Sequence, residues 1–195
     1  MSNFQFLHKK WSSIFEEAKE AEKLTLTSPK AATILCRSAL EMGVNWLYQN
    51  DYDLEYPYDR NLSSLIHDRG FREIIKPSMF SELNIVRKEG NNGAHGKSIT
   101  QEQSLTTLKY LFRFLSFIGV YYNEDKINIP SFSTEHIPDG SAEKEAFFAL
   151  RKLQEQVDQQ RDQRLQFELQ ATQIEELKDQ LIQAKRLNKQ RRKER

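Results

Sequence analysis

Over most of the first 123 residues the apolar positions recur at steps of three and four, the period that lays one side of an α-helix against a core. From Phe4 to Leu24 the series is Leu7, Trp11, Ile14, Phe15, Ala18 and Ala21, with charged residues on the other face. Thr27, Ser28 and Pro29 interrupt it. Ser28 stands where it can cap a new helix, and Pro29 takes the first-turn position that its missing N–H tolerates. That second helix is predicted to run to about Asn50 on a broad stripe of Ala32, Ile34, Leu35, Ala39, Met42, Trp46 and Leu47, suited to the centre of a bundle. Cys36 lies within the stripe and reads as a small buried hydrophobe, because nothing near it in sequence would lower its pKa.

The segment from Asp51 to Arg60, with three tyrosines and Pro57, reads as a loop packing aromatics over the bundle. Asn61 is placed to cap a short helix carrying Leu62, Leu65 and Ile66, which Gly70 ends; a single turn around Phe71 to Ile75 precedes Pro77. From Ser78 another helix carries Met79, Phe80, Leu83 and Val86 into the stretch Ile85 to Ser98, where Gly90, Gly93 and Gly96 predict that the backbone turns or approaches something closely. Thr100 and Gln103 then form a capping-box pattern ahead of Leu105, Leu108, Leu111, Phe112, Leu115, Ile118 and Tyr122, the most hydrophobic helix of the chain, ending near Asn123.

The pattern changes after that. Pro130, Pro138 and Gly140, with Ile127, Ile129 and Phe132 between them, predict an extended connector over 124–141. From 142 to 195 there is neither glycine nor proline, and glutamine, glutamate, lysine and arginine dominate, as in a long exposed helix. Ala146, Leu150, Leu153 and Val157 make one seam, and Phe167, Ile174, Leu177, Leu181 and Ala184 a second in shifted phase. Such half-seams predict a coiled-coil-like helix able to self-associate, or one that packs on two partners. The expected fold is therefore all-α: a helical bundle over 1–123, a connector, and a long charged helix.

Composition adds three points. At 38% hydrophobic and 29% charged, with a mean hydropathy of −0.73, the 195 residues are too polar for one compact globule. A formal net charge of +1 argues against coating nucleic acid along the whole length and moves that question to local patches. One such patch is the basic end, where Lys185, Arg186, Lys189, Arg191, Arg192 and Lys193 are candidates to contact DNA, RNA or a partner, or to form a solvated extension. One cysteine excludes an intramolecular disulfide, no apolar run is long enough to span a membrane, and the cytoplasm is the expected compartment.

Candidate chemistry narrows to one place. Gly96-Lys97-Ser98 resembles the end of a phosphate-cradling loop, but Asn91 stands where that loop needs a glycine, and a helix precedes it where a strand is required. The Glu-x-Lys pairs Glu17/Lys19 and Glu176/Lys178 fit helical charged faces, and without strands no nuclease site can be assembled around them. His8, His67 and His136 have no carboxylate or cysteine at metal-ligand spacing, so no metal site is expected. Arg87, Asn91 and His95 differ, being four residues apart and hence on one face of a continuing helix, or in one small region if the helix breaks at Gly90. They suit RNA cleavage, with His95 handling the proton of a 2′-hydroxyl and Arg87 stabilising phosphorane charge. They equally suit structure, with Asn91 or His95 satisfying backbone groups at a helix break and Arg87 pairing with Glu82 or Glu89.

Four sequence features together resemble a known family. The N-terminal run Met1–Leu7, the box Leu65-Ile66-His67-Asp68, the Arg-x-x-Gly-Asn-x-x-Ala-His box from Arg87 to His95, and the aromatic-rich helix after it look like the N-terminal helical module of type I restriction enzyme R subunits, a module of DUF4145 type that also occurs as a domain of unknown function elsewhere. In those subunits a glutamine-rich coiled coil follows, as here. The resemblance implies an accessory module that meets other restriction subunits, or the remainder of the R subunit, and possibly DNA or RNA, in defence against foreign DNA. It assigns ATP and Mg²⁺ to the full-length family only, since no nuclease or helicase motif stands in this chain, and no cofactor is expected here. The module is also similar to the HEPN superfamily of helical RNases, whose active members have four to six residues between an arginine and a histidine. Here seven residues separate Arg87 from His95, and Lys88 takes the place of the usual polar residue. A HEPN-type ribonuclease or toxin and a coiled-coil adaptor are the alternative functions.

Overall fold

The structure, a computed structural model, describes residues 2–124, 127–141, 148–157 and 159–161. Its assigned elements are all helical. After a 3-10 turn at Gln5–Leu7 come α1 (Ser12–Leu24), α2 (Pro29–Asn50), α3 (Leu62–His67), α4 (Arg69–Ile74), α5 (Pro77–Ala94) and α6 (Gln101–Tyr121), with a further 3-10 turn at Thr134–His136. No helix among the described residues is long and apolar enough to cross a membrane.

The caps explain most of the boundaries. Pro29 opens α2 after Ser28, whose hydroxyl is not used as a cap. Asn61 Oδ1 accepts from Ser64 N at 2.9 Å to start α3, and Thr100 and Gln103 make a reciprocal box at 3.1 and 2.9 Å to start α6. Two boundaries depart from expectation. The helix expected from Phe4 begins only at Ser12, because Phe4 and Leu7 are buried from a 3-10 turn. Gly70 does not end a helix but sits in the first turn of α4, since Asp68 accepts from Gly70 N at 2.9 Å and Phe71 N at 3.4 Å and so closes α3 and caps the next helix at once.

Helix α2 is the centre and packs against α1, α5 and α6. Its buried residues Cys36, Ala39, Leu40, Val44 and Leu47 join Ile14, Phe15, Leu83, Val86, Leu111, Phe114, Leu115 and Ile118 in one core. At roughly 1.5–3 kcal/mol for each fully buried large aliphatic or aromatic side chain, this core is the main force holding the helices together. Residues 127–137 lie along the same unit: Ile137 is buried, and the Phe132 ring meets that of Phe112 edge-on at 5.3 Å. Their clasp is Asn3, whose Nδ2 donates to Ser133 O at 2.8 Å while its Oδ1 accepts from Ser133 N at 2.8 Å. The same amide donates to Glu22 Oε1 at 2.6 Å, and the Asn3 backbone N–H donates to that oxygen at 3.0 Å.

The chain divides into two units, Met1–Gly140 and Ser141–Arg195. In the second, 148–157 and 159–161 are helical, Leu150, Leu153 and Val157 are exposed, and Arg151 Nε lies 3.3 Å from Glu155 Oε1. The second seam from Phe167 to Ala184 and the basic residues Lys185, Arg186, Lys189, Arg191, Arg192 and Lys193 lie outside the described residues, so a long coiled-coil-like helix is not part of the fold described.

Three buried or part-buried acids in the bundle favour their neutral forms. Burial holds the Cys36 thiol well above its ordinary value of 9.0, and burial with nearby carboxylates and hydrogen bonding (Asp68 for Tyr48, Asp51 for Tyr122) holds both phenols above 10.0. The unfolded chain releases these protons at pH values where the folded chain keeps them, so their contribution to stability is complete below about pH 9 and is lost as pH rises past it. Urea titrations at pH 8 and pH 11 are expected to give a lower midpoint at pH 11, and an equal midpoint would refute the assignment.

Candidate functional site

The glycine-rich stretch is mostly helix. α5 runs without a break through Gly90 to Ala94, so of the two courses open to the chain at Gly90 it takes the continuing helix. Its buried face is Leu83, Val86, Gly90 and Gly93, at steps of three, four and three. The glycines continue the apolar period with no side chain, which lets α5 lie close against α2. A Cβ on Gly90 would fall 2.3 Å from Arg37 Cβ and 2.9 Å from Thr33 O; one on Gly93 would fall 2.9 Å from Thr33 Oγ1 and 3.0 Å from Lys30 O. As α5 advances from Gly90 to Gly93 its neighbours on α2 step back from Arg37 to Lys30, so the two helices are antiparallel.

The end of α5 is built by the third glycine. Gly96 has φ +80°, its N–H donates to Gly93 O at 3.1 Å, and Lys97 N–H donates to Asn92 O at 3.0 Å. These two bonds form a Schellman motif, which satisfies carbonyls that the last turn would leave open. No side chain is needed for that task. His95 occupies the C-cap, exposed and without a side-chain hydrogen bond, so it does not fill the backbone role considered for it.

Arg87, Asn91 and His95 therefore stand on successive turns of one helix. Eight residues at 1.5 Å rise separate Arg87 from His95 by about 12 Å along the axis, with a swing of about 80°. Arg87 is half-buried; its Nη2 donates to Asn84 Oδ1 at 3.4 Å, about three turns from His95, and its Nε is buried with no partner among the described residues. It does not pair with Glu82 or Glu89. Glu82 is taken by Arg113 of α6, and Glu89 accepts from Asn92 at 3.5 Å. Asn91 is half-buried, and its carbonyl accepts from His95 N at 2.9 Å. Joint catalysis needs both groups within hydrogen-bond reach of one phosphodiester, and here Arg87 reaches back toward Asn84, away from His95.

Replacing His95 by alanine is expected to change stability by no more than about 0.5 kcal/mol, as for a surface residue with no partner. A urea titration checks this, and a loss above about 1 kcal/mol would reveal a contact the geometry lacks.

Sequence reasoning missed Arg37. It sits directly opposite Gly90, its Nη2 lies 3.5 Å from Glu41 Oε2, and its Nε is buried without a partner, as is that of Arg87. The available signal was its position one turn from Thr33 on the face of α2 that the glycines contact, which a search for apolar residues alone passes over.

Clefts lie elsewhere on the bundle. One, of about 620 Å³, is lined by Ile74, Ile75, Met79, Phe117, Val120 and Tyr121 among others; a smaller one of about 340 Å³ includes Lys10, Trp11, Asn45, Trp46 and Gln49. Neither includes Arg87, Asn91 or His95. Among the described residues no group of three or more histidine, cysteine, aspartate or glutamate side chains is placed to hold a metal ion.

No curated protein and no solved structure matches the chain. A family model does: residues 19–131 match DUF4145, a domain of unknown function. The matched segment spans from α1 to Pro130 and Ser131, and so includes the Arg87–His95 box and the glycine contact with α2. The chain belongs to the DUF4145 family.

Proposed function

We propose that the bundle is a non-catalytic binding module, working as the N-terminal accessory part of a type I restriction R subunit in DNA restriction. The observation that supports this reading is the use of the Arg-x-x-Gly-Asn-x-x-Ala-His box. Gly90 and Gly93 serve the contact of α5 with α2, while Arg87 and His95 are left on different turns, with His95 free in solvent. A box that fixes helix geometry suits a module whose surface meets other subunits, and the DNA-cleaving and ATP-hydrolysing steps, with their Mg²⁺, belong to the rest of such an enzyme.

The test is genetic. Deleting the coding segment for this chain in its host, with the adjoining restriction genes intact, is expected to abolish restriction of unmodified phage DNA, and His95→Ala is expected to leave restriction unchanged. Full restriction after deletion, or a host without nuclease and helicase partners for the chain, overturns the reading. Purified chain is expected to leave tRNA intact; cleavage that disappears in His95→Ala would put the ribonuclease in its place.

A further inference from the structure

The loop from Asp51 to Arg60 is fixed from within. Asp51 N–H donates to Leu47 O at 2.8 Å as α2 ends, and its carboxylate accepts from the hydroxyl of Tyr122, just past α6, and, at 2.9 Å, from Asp53 N. Leu54 is buried in the core. Tyr56 stacks on Tyr48 with ring centroids 5.0 Å apart, and Arg60 lies over the Tyr56 ring at 4.5 Å. Asp59 accepts from the backbone and side chain of Asn61 at 3.2 and 2.6 Å, holding the loop to the start of α3.

What remains points outward. Tyr52 and Tyr58 have relative exposures of 103% and 106%, with no ring contact and no hydrogen bond to either side chain. Asp53 and Glu55, between them, are exposed and carry no ion pair or side-chain hydrogen bond. Single exposed aromatics are ordinary, but two within seven residues on a loop held by a buried leucine and several hydrogen bonds form a preorganised surface. Tyrosine is the residue that such surfaces use, because it offers a large rigid contact with few rotatable bonds.

The charge selects the partner. The loop holds Asp51, Asp53, Glu55 and Asp59 against Arg60 alone, which repels phosphate backbones and anionic lipid. A guanidinium answers both outward groups at once: it stacks on a phenol ring and pairs with a carboxylate through two N–H groups. The Arg60–Tyr56 stack is the same contact made inside the loop. We propose that residues 51–60 form a recognition surface for an arginine-bearing segment of a protein partner, with Tyr52 and Tyr58 as stacking platforms and Asp53 and Glu55 as the paired acids. This stands apart from the restriction reading and does not depend on it.

The experiment uses the full chain labelled with ¹⁵N and titrated with three probes: a synthetic Arg-Gly repeat peptide, its Lys-Gly counterpart, and oligouridylate. The arginine peptide is expected to shift the amides of residues 51–60, with the lysine peptide about tenfold weaker. Tyr52→Ser with Tyr58→Ser is expected to weaken the arginine peptide about tenfold while the rest of the spectrum is kept, since both side chains are fully exposed. Asp53→Asn with Glu55→Gln should weaken it too and flatten its dependence on salt. No shift of the loop at millimolar arginine peptide, equal binding by the lysine peptide or by the tyrosine-free variant, or a shift of these amides by oligouridylate overturns the proposal.

Discussion

Replacing Gly90 by alanine is expected to lower the stability of the bundle by roughly 1–3 kcal/mol, although alanine is the better helix former. Two effects oppose each other. Alanine within a helix gains about 1 kcal/mol over glycine. Against this, the new methyl would stand 2.3 Å from Arg37 Cβ and 2.9 Å from the backbone oxygen of Thr33. The obstacle is the first atom of a side chain and a main-chain carbonyl, so no rotamer change relieves it and α5 must move off α2. That shift also disturbs Leu83 and Val86, which are fully buried on the same face. Gly90→Leu is expected to unfold the bundle. Gly96→Ala serves as the control: nothing lies within 4 Å of its added methyl, and the cost is confined to the left-handed backbone, about 1 kcal/mol. Urea titrations of the three variants give the order, and Gly90→Ala at or above wild-type stability would mean that α5 does not press on α2.

Asn3→Ala is expected to cost roughly 2–4 kcal/mol, large for a residue that lies before α1 begins at Ser12. The Asn3 amide makes three hydrogen bonds, of which one serves Glu22, a carboxylate only 2% exposed, and two hold Ser133. Alanine leaves Glu22 with the Asn3 backbone N–H alone and leaves the Ser133 N–H and C=O without their partner. Two readouts follow: a lower urea midpoint, and faster amide exchange through 127–137 with little change in α2. If Asn3 and Glu22 act as one unit, Asn3→Ala and Glu22→Ala together will cost less than the sum of the two alone. Additive losses, or unchanged exchange at 127–137, would show that the clasp is incidental.

Much of this architecture is legible in the residues themselves. The four long helices follow from the three-and-four period and from caps whose donors and acceptors are local in sequence, such as Asn61 with Ser64 and Thr100 with Gln103. What escapes is decided by contacts between distant segments. Gly90 and Gly93 signal a turn when judged by propensity, and only the surface of α2 at Thr33 and Arg37 makes them the buried face of a helix. Taken as continuing Leu83 and Val86, the glycines give the unbroken α5. Likewise Glu82 pairs with Arg113, 31 positions away, and not with Arg87 on its own helix. The candidate trio was found by its spacing, yet spacing does not fix side-chain direction, and Arg87 turns toward Asn84.

The Asn3 clasp also sets a timetable. Its two halves are 130 residues apart in the chain, so it closes one of the longest loops in the bundle and gives no return until that loop entropy has been met. Helices joined by short connections assemble sooner. A chain made from its N-terminus presents Asn3 130 residues before Ser133, so the Asn3 amide waits with its Glu22 contact alone while α2, α5 and α6 come together. The segment 127–137 then docks last, and a refolding experiment followed by amide exchange should find it the last part to gain protection.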